Sequence, residues 1–183
     1  MKSNFTLLFF RSTAVIAVVL FIYGCSSSKP SQQLPAVASA IKWHPGHYIL
    51  IKGEKSKQEY LQGNFLGIQK KYAWNKMEPQ KGKYDFTEIK EDLKFLEANR
   101  KRLVVQIQTK DFGEGKTSMP DYLKGSEFGL STYITATGSI NPVYWNTKVS
   151  ERIEALYTAL GKAFDKEPYM EAMVIPETAI SVN

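Results

Sequence analysis

The sequence has few of the residues that build covalent cross-links and metal sites. Among 183 residues it contains one cysteine, Cys25, and two histidines, His44 and His47. A single thiol forms no intrachain disulfide, and a cysteine-based metal site needs several thiolates. The two histidines are separated by Pro45 and Gly46, and the sequence places no carboxylate beside them. We therefore predict that the protein has no metal site.

Motifs for dinucleotides and nucleic acids are also absent from the sequence. A doubly wound dinucleotide-binding fold carries a glycine-rich turn after its first strand, but the first apolar run is followed by residues 52–55 (KGEK). The formal net charge is +6, yet the lysines are interspersed with glutamates and no basic helix or finger motif occurs. We predict no cofactor and no nucleic-acid partner, and we interpret residues 52–58 and 70–71 as solvated loop charge.

The N-terminus has the order of an export signal. Positive charge precedes an apolar run at residues 14–23, which is shorter than the roughly 20 residues that span a bilayer as a helix. The run leads into residues 22–25 (IYGC), which resemble a bacterial lipobox. The resemblance implies a lipoprotein signal peptide at residues 1–24 and an acylated Cys25. It predicts a protein anchored by membrane lipid in the bacterial cell envelope, at the outer membrane or the cell surface.

Residues 25–40 are rich in serine, proline, glutamine and alanine and have no apolar period, which indicates a flexible linker. The remaining residues, 41–183, alternate between strand and helix patterns. The four strand candidates are residues 47–51, 65–72, 102–108 and 172–175. One helix is predicted after Asp85, with Glu88 placed for a capping box and Asn99 at its end, and another at residues 149–164. This alternation predicts an α/β fold with a parallel sheet.

A long irregular segment, residues 109–148, separates the third strand from the second helix. Glycine and proline interrupt it repeatedly. A loop of this length in a compact domain usually has a function. In a barrel it would lie on the catalytic rim.

Residues 74–86 (WNKMEPQKGKYDF) match the pattern W-x-x-x-E-P-x-x-G-x-Y-D-F. They resemble the segment after the second strand in retaining glycoside hydrolases with a (β/α)8 barrel, the clan of cellulases and family 42 β-galactosidases. The resemblance extends over residues 43 to about 180 and includes residues 171–178 (EAMVIPET), the fourth-strand region. Because a full barrel needs about 250 residues, the resemblance implies that residues 41–183 are the N-terminal half, about four βα units, of a TIM barrel.

The resemblance assigns a catalytic role to Glu177, since the clan places a catalytic glutamate at the end of strand four. Retaining glycosidases hydrolyse O-glycosidic bonds of poly- or oligosaccharides with two carboxylates, a nucleophile and an acid/base. In this clan the nucleophile stands at the end of strand seven, which the sequence does not reach. We expect a glycoside hydrolase-like protein truncated before its nucleophile, inactive as this fragment. Taken alone, Glu177 also fits an exposed carboxylate near a chain end.

Four side chains are predicted to bind the carbohydrate substrate: Tyr72, Trp74, Gln108 and Trp145. Flat aromatic rings suit the apolar faces of sugars, although large aromatic residues also fill cores. Gln108 shares a strand face with Gln106 and either bonds a sugar hydroxyl or is satisfied inside a barrel. The resemblance implies that Glu78 shapes the loop after strand two, and we expect it to do so through an ion pair or backbone N–H bonds. The alternative function is a lipid-anchored protein that binds carbohydrate without hydrolysis, which needs only these aromatic and amide contacts.

Overall fold

The structure of the protein, a computed structural model, describes residues 42, 44–53 and 56–175. They lie within the second of the two units into which the chain divides, Ile41–Asn183. Cys25 and Glu177 are outside the described residues, so the predicted lipid anchor and catalytic glutamate stay predictions.

Strands and helices alternate along the described residues, as the sequence pattern predicts. The strands are β1 (Tyr48–Leu50), β2 (Gly67–Ala73), β3 (Arg102–Gln108), β4 (Thr132–Ile134), β5 (Ile140–Pro142) and β6 (Met170–Val174). The α-helices are α1 (Trp74–Met77), α2 (Thr87–Ala98) and α3 (Thr147–Phe164). Short 3-10 turns occur at Lys57–Leu61, Asp121–Lys124 and Ser126–Phe128.

A parallel sheet holds four of the strands in the order β1-β2-β3-β6. β2 and β3 pair along their whole length, from Gly67 beside Arg102 to Ala73 beside Gln108. The strands approach closely at Gly67, where an added Cβ would lie 2.1 Å from the carbonyl oxygen of Arg102. The predicted α/β class with a parallel sheet is therefore confirmed, and the carboxyl ends of these strands meet at one edge.

The main core lies on one face of this sheet, beneath α2 and α3. Leu103, Val105 and Ile107 of β3 are fully buried there. The helices contribute the buried side chains Ile89, Leu93, Leu96, Val149, Leu156, Leu160 and Phe164. Because side chains alternate along a strand, Gln106 and Gln108 lie on the opposite face of the sheet.

Local hydrogen bonds decide where the two long helices begin. The side chain of Asn146 accepts the N–H groups of Lys148 at 3.0 Å and Val149 at 3.4 Å, so α3 begins two residues before the predicted start. At α2, Asp85 Oδ1 accepts the Thr87 N–H at 2.9 Å. The predicted capping box does not form, because the Glu88 carboxylate pairs instead with a lysine of β2.

Residues 109–148 are more ordered than the sequence suggests. β4 and β5 form an antiparallel hairpin, and Met119, Leu123 and Phe128 are buried in the core. Most of the segment is irregular, as expected, but the hairpin and this packing were not predicted, because the apolar residues are spaced too irregularly to show a period. Across the described parts of the chain, we find no helix with both the length and the apolar character needed to span a membrane.

Candidate functional site

Glu78 follows β2 and α1 in the chain, and its carboxylate is fully buried. It accepts hydrogen bonds from Trp74 Nε1 at 2.9 Å and from the Gly82 N–H at 2.8 Å, and it pairs with the Arg152 guanidinium of α3. The predicted structural role of Glu78 is therefore confirmed. The same network corrects the prediction for Trp74, whose indole is fully buried and is bonded to Glu78 instead of facing a ligand.

Tyr72 also fills the core instead of facing a ligand surface. The residue is 2% exposed and its hydroxyl donates to Asp92 Oδ2 of α2 at 2.8 Å. Burial, with the charge of Asp92, raises the pKa of the Tyr72 phenol far above its ordinary value, so the phenol stays a donor. The alternation along β2 explains the correction, because Tyr72 shares the helix-covered face with Ile68.

The interpretation of residues 70–71 as loop charge was wrong, because both lie in β2, and Lys70 is not solvated either. This lysine lies in β2, and its ammonium group is 2.5 Å from Asp92 Oδ2 and 2.9 Å from Glu88 Oε1. The adjacent Lys71 is exposed and lies on the other face of the sheet, beside Gln106 in the register.

Gln108 marks the carboxyl end of β3, where the sheet face opposite to the helices is polar. Its amide donates to Asp111 Oδ1 at 2.7 Å, and behind it Gln69 donates to Gln106 at 2.8 Å. The second carboxylate oxygen of Asp111 is buried and has no hydrogen-bond partner among the described residues. This oxygen is therefore an unsatisfied acceptor beneath the surface of the rim.

Trp145 is 67% exposed and stacks on Tyr133, with ring centroids 6.3 Å apart and planes at 27°. We call this pair the aromatic platform. Next to it, the Tyr144 hydroxyl contacts Thr109 Oγ1, and Lys110 Nζ lies 4.7 Å from the Tyr144 ring centroid. Burial raises the pKa of Tyr144 to about 12 and lowers that of Lys110 below its ordinary value.

The aromatic platform and Gln108 lie on one connected stretch of the strand-end rim. Gln108 binds Asp111, and the Asp111 N–H donates to Asn141 Oδ1 at 2.9 Å. Asn141 of β5 is the register partner of Tyr133 in β4. Of the four predicted substrate contacts, the structure thus brings Gln108 and Trp145 to the rim and places the other two in the core.

A cleft of about 840 Å³ borders the same rim on the side of β1 and β2. We call it the lysine cleft; its charged and amide side chains are Lys52, Lys57, Lys70, Lys71, Glu88, Glu91, Asp92 and Gln108. The sequence analysis missed Asp111, Tyr133 and Lys71 as site residues. Of these three residues, only Lys71 could have been found from the sequence, because parallel pairing of β2 with β3 places it on the same face of the sheet as Gln106 and Gln108.

His44 makes an ordinary polar contact with a residue of β6. His44 Nδ1 lies 2.9 Å from Glu171 Oε2, and Arg102 contacts the same oxygen at 3.3 Å. Within the part of the chain that the structure describes, no three His, Cys, Asp or Glu side chains are grouped so as to hold a metal ion.

No family model and no curated protein matches the chain. Among solved structures the chain is similar to Exo-beta-1,4-mannosidase Op5Man5 from Opitutaceae bacterium strain TAV5, with 19% sequence identity and a TM-score of 0.38. The match covers 60% of this chain and 18% of that chain, so this chain spans less than a fifth of the mannosidase. At this level the match identifies no family and bears on no residue of the site.

Proposed function

We propose that the chain binds carbohydrate at the strand-end rim, as the N-terminal half of a glycoside hydrolase-like (β/α)8 barrel. The observation that carries the proposal is the aromatic platform beside the Gln108–Asp111 pair. Binding sites for small molecules combine aromatic walls with a few placed polar groups. In barrel enzymes they lie at the carboxyl ends of the strands. The rim of this sheet has both properties.

The two parts of the rim suit the two surfaces of a sugar ring. The exposed face of Trp145 offers a flat apolar surface for the C–H groups of a pyranose, and Tyr133 supports the indole from behind. The Gln108 carbonyl oxygen can accept a hydrogen bond from a sugar hydroxyl group, and Asp111 holds the Gln108 amide in place at 2.7 Å. Sugars supply C–H faces and hydroxyl groups together, which is why we favour this ligand class.

Hydrolysis is the second part of the proposal and concerns a longer parent protein. β6 ends at Val174, the register partner of Gln106, so the chain leaves the sheet near the rim that carries Gln108. Glu177 follows three residues later in the sequence. We propose it as the acid/base of a retaining mechanism whose nucleophile would stand at the end of strand seven in such a parent protein. A lipid-anchored protein that binds without hydrolysis would use the same rim.

We expect Trp145→Ala to weaken binding of a neutral oligosaccharide to the full chain by about tenfold, because a lost aromatic contact costs up to about 1.5 kcal/mol. Calorimetric titration with cello-, manno- and galacto-oligosaccharides measures the change. Trp145→Tyr keeps a flat ring and should recover most of the affinity. Leu130→Ala removes an apolar side chain that is 90% exposed in the same segment, and it should leave binding unchanged. Equal affinity for the wild type and Trp145→Ala would rule out the platform.

We also propose that acylated Cys25 anchors the chain to a bacterial membrane. Stable anchoring needs at least two acyl chains, since one gives only marginal binding. Cys25→Ser should therefore move the protein from the membrane fraction to the soluble fraction and alter its electrophoretic mobility. Retention in the membrane fraction with unchanged mobility would contradict the lipid anchor.

A further inference from the structure

The lysine cleft contains two kinds of lysine. Lys70 is neutralised by Asp92 at 2.5 Å and Glu88 at 2.9 Å. Lys57 lies 3.5 Å from Asp92 and 3.8 Å from Glu91. The carboxylates of this cleft all belong to α2, so the helix side of the cleft holds paired charges.

Lys52 and Lys71 differ from that paired group. Both are exposed, and neither ammonium group has a carboxylate within ion-pair distance among the described residues. Lys52 follows the end of β1, and Lys71 lies on the sheet face of Gln106 and Gln108. The unpaired positive charge of the cleft is therefore on its strand side, toward the rim.

Gln108 connects this charge to the carbohydrate site. It lines the lysine cleft and also donates to Asp111, from which Asn141 leads to the aromatic platform. A ligand that occupies the cleft and the platform together would cross Gln108. The portion of the ligand in the cleft would contact the ammonium groups of Lys52 and Lys71, and ammonium groups bind anionic oxygens more strongly than neutral hydroxyls.

We propose that the saccharide bound at the rim is acidic, with a uronate carboxylate or a sulfate ester held by Lys52 and Lys71. This inference rests on the proposed carbohydrate binding. A neighbouring neutral part of the same saccharide lies on the aromatic platform and donates a hydroxyl hydrogen bond to the Gln108 carbonyl oxygen. Residues 25–183 carry 22 of the 24 Lys and Arg residues and all 18 Asp and Glu residues, and this net charge of +4 further favours the approach of an acidic polymer.

The test compares three probes on the full chain: a tetramer of galacturonate, a sulfated galactose tetramer and a neutral galactose tetramer. We expect at least one acidic probe to bind about tenfold or more tightly than the neutral one at low salt, and this advantage to shrink as salt is added. The acidic probe that binds identifies the anionic group as a carboxylate or a sulfate. Equal affinity for all three probes would overturn the inference.

The double variant Lys52→Gln/Lys71→Gln should remove most of the preference for the acidic probe. The double variant Lys52→Arg/Lys71→Arg keeps both positive charges and should retain the preference. The control variant Lys90→Gln/Lys94→Gln removes the same amount of charge from the exposed side of α2, and it should keep the preference for the acidic probe. An equal loss in this control would show non-specific attraction and overturn the proposal. If the wild type shows no preference for an acidic probe while Trp145→Ala still weakens neutral binding, the acidic-saccharide inference is overturned and the proposed carbohydrate binding stands. If no probe binds, both proposals fail.

Discussion

Glu78→Ala is expected to lower the free energy of unfolding by about 3–5 kcal/mol, because it leaves a partly buried guanidinium without its carboxylate. The carboxylate is fully buried and joins Trp74, Gly82 and Arg152. Its removal therefore leaves an indole N–H and a backbone N–H without their acceptor and a guanidinium without its counter-charge. Urea unfolding followed by circular dichroism measures the loss.

The matched control for this prediction is Glu127→Ala. Glu127 also pairs with a cation, Lys81 at 3.4 Å, but both side chains are largely exposed. Exposed ion pairs contribute about 0–1 kcal/mol, so the control should unfold almost like the wild type. Similar small losses in both variants would show that the buried network does not stabilise the loop after β2.

Asp92→Ala is the second large expected effect, a loss of about 3 kcal/mol of unfolding free energy. Asp92 is buried in α2 and accepts from the Tyr72 hydroxyl at 2.8 Å and from Lys70 at 2.5 Å. The variant leaves a buried phenol without an acceptor, while Lys70 keeps only Glu88. Thermal or urea unfolding of the full chain reports the change.

The neighbouring Glu91 provides the control, because it is exposed on the same helix and lies 3.8 Å from Lys57. Glu91→Ala should cost less than about 1 kcal/mol. Tyr72→Phe should destabilise the wild type more than the Asp92→Ala background, since the bond it removes is already lost there. Tyr72→Phe should also leave saccharide binding unchanged. A binding defect without a stability defect would restore Tyr72 as a ligand contact.

The sequence predicted those parts of the fold that depend on local patterns. β3 has the same limits in the structure as in the prediction, Arg102–Gln108, because a short apolar, partly β-branched run is bounded there by charged and polar residues. α2 ends before Asn99 as expected. Glu78 could be assigned a structural role because its Glu-Pro turn and surrounding residues lie within one short motif.

The site was less predictable, because its residues come from distant segments. Lys70 and Asp92 are 22 residues apart in the sequence, and Asp111 and Asn141 are 30 residues apart. No local sequence pattern therefore predicts either pair. The hairpin β4–β5, which brings Tyr133 under Trp145, formed within a segment that showed no period.

By itself, the sequence determined the order of the four strands of the parallel sheet and of α2 and α3, since apolar period acts between residues close in the chain, and its resemblance to a known motif indicated the structural role of Glu78. Only the tertiary structure decided which face of β2 the helices cover. That choice buries Tyr72 and leaves Lys71 exposed, because α2 supplies both the apolar surface and the carboxylate of Asp92 on one side alone.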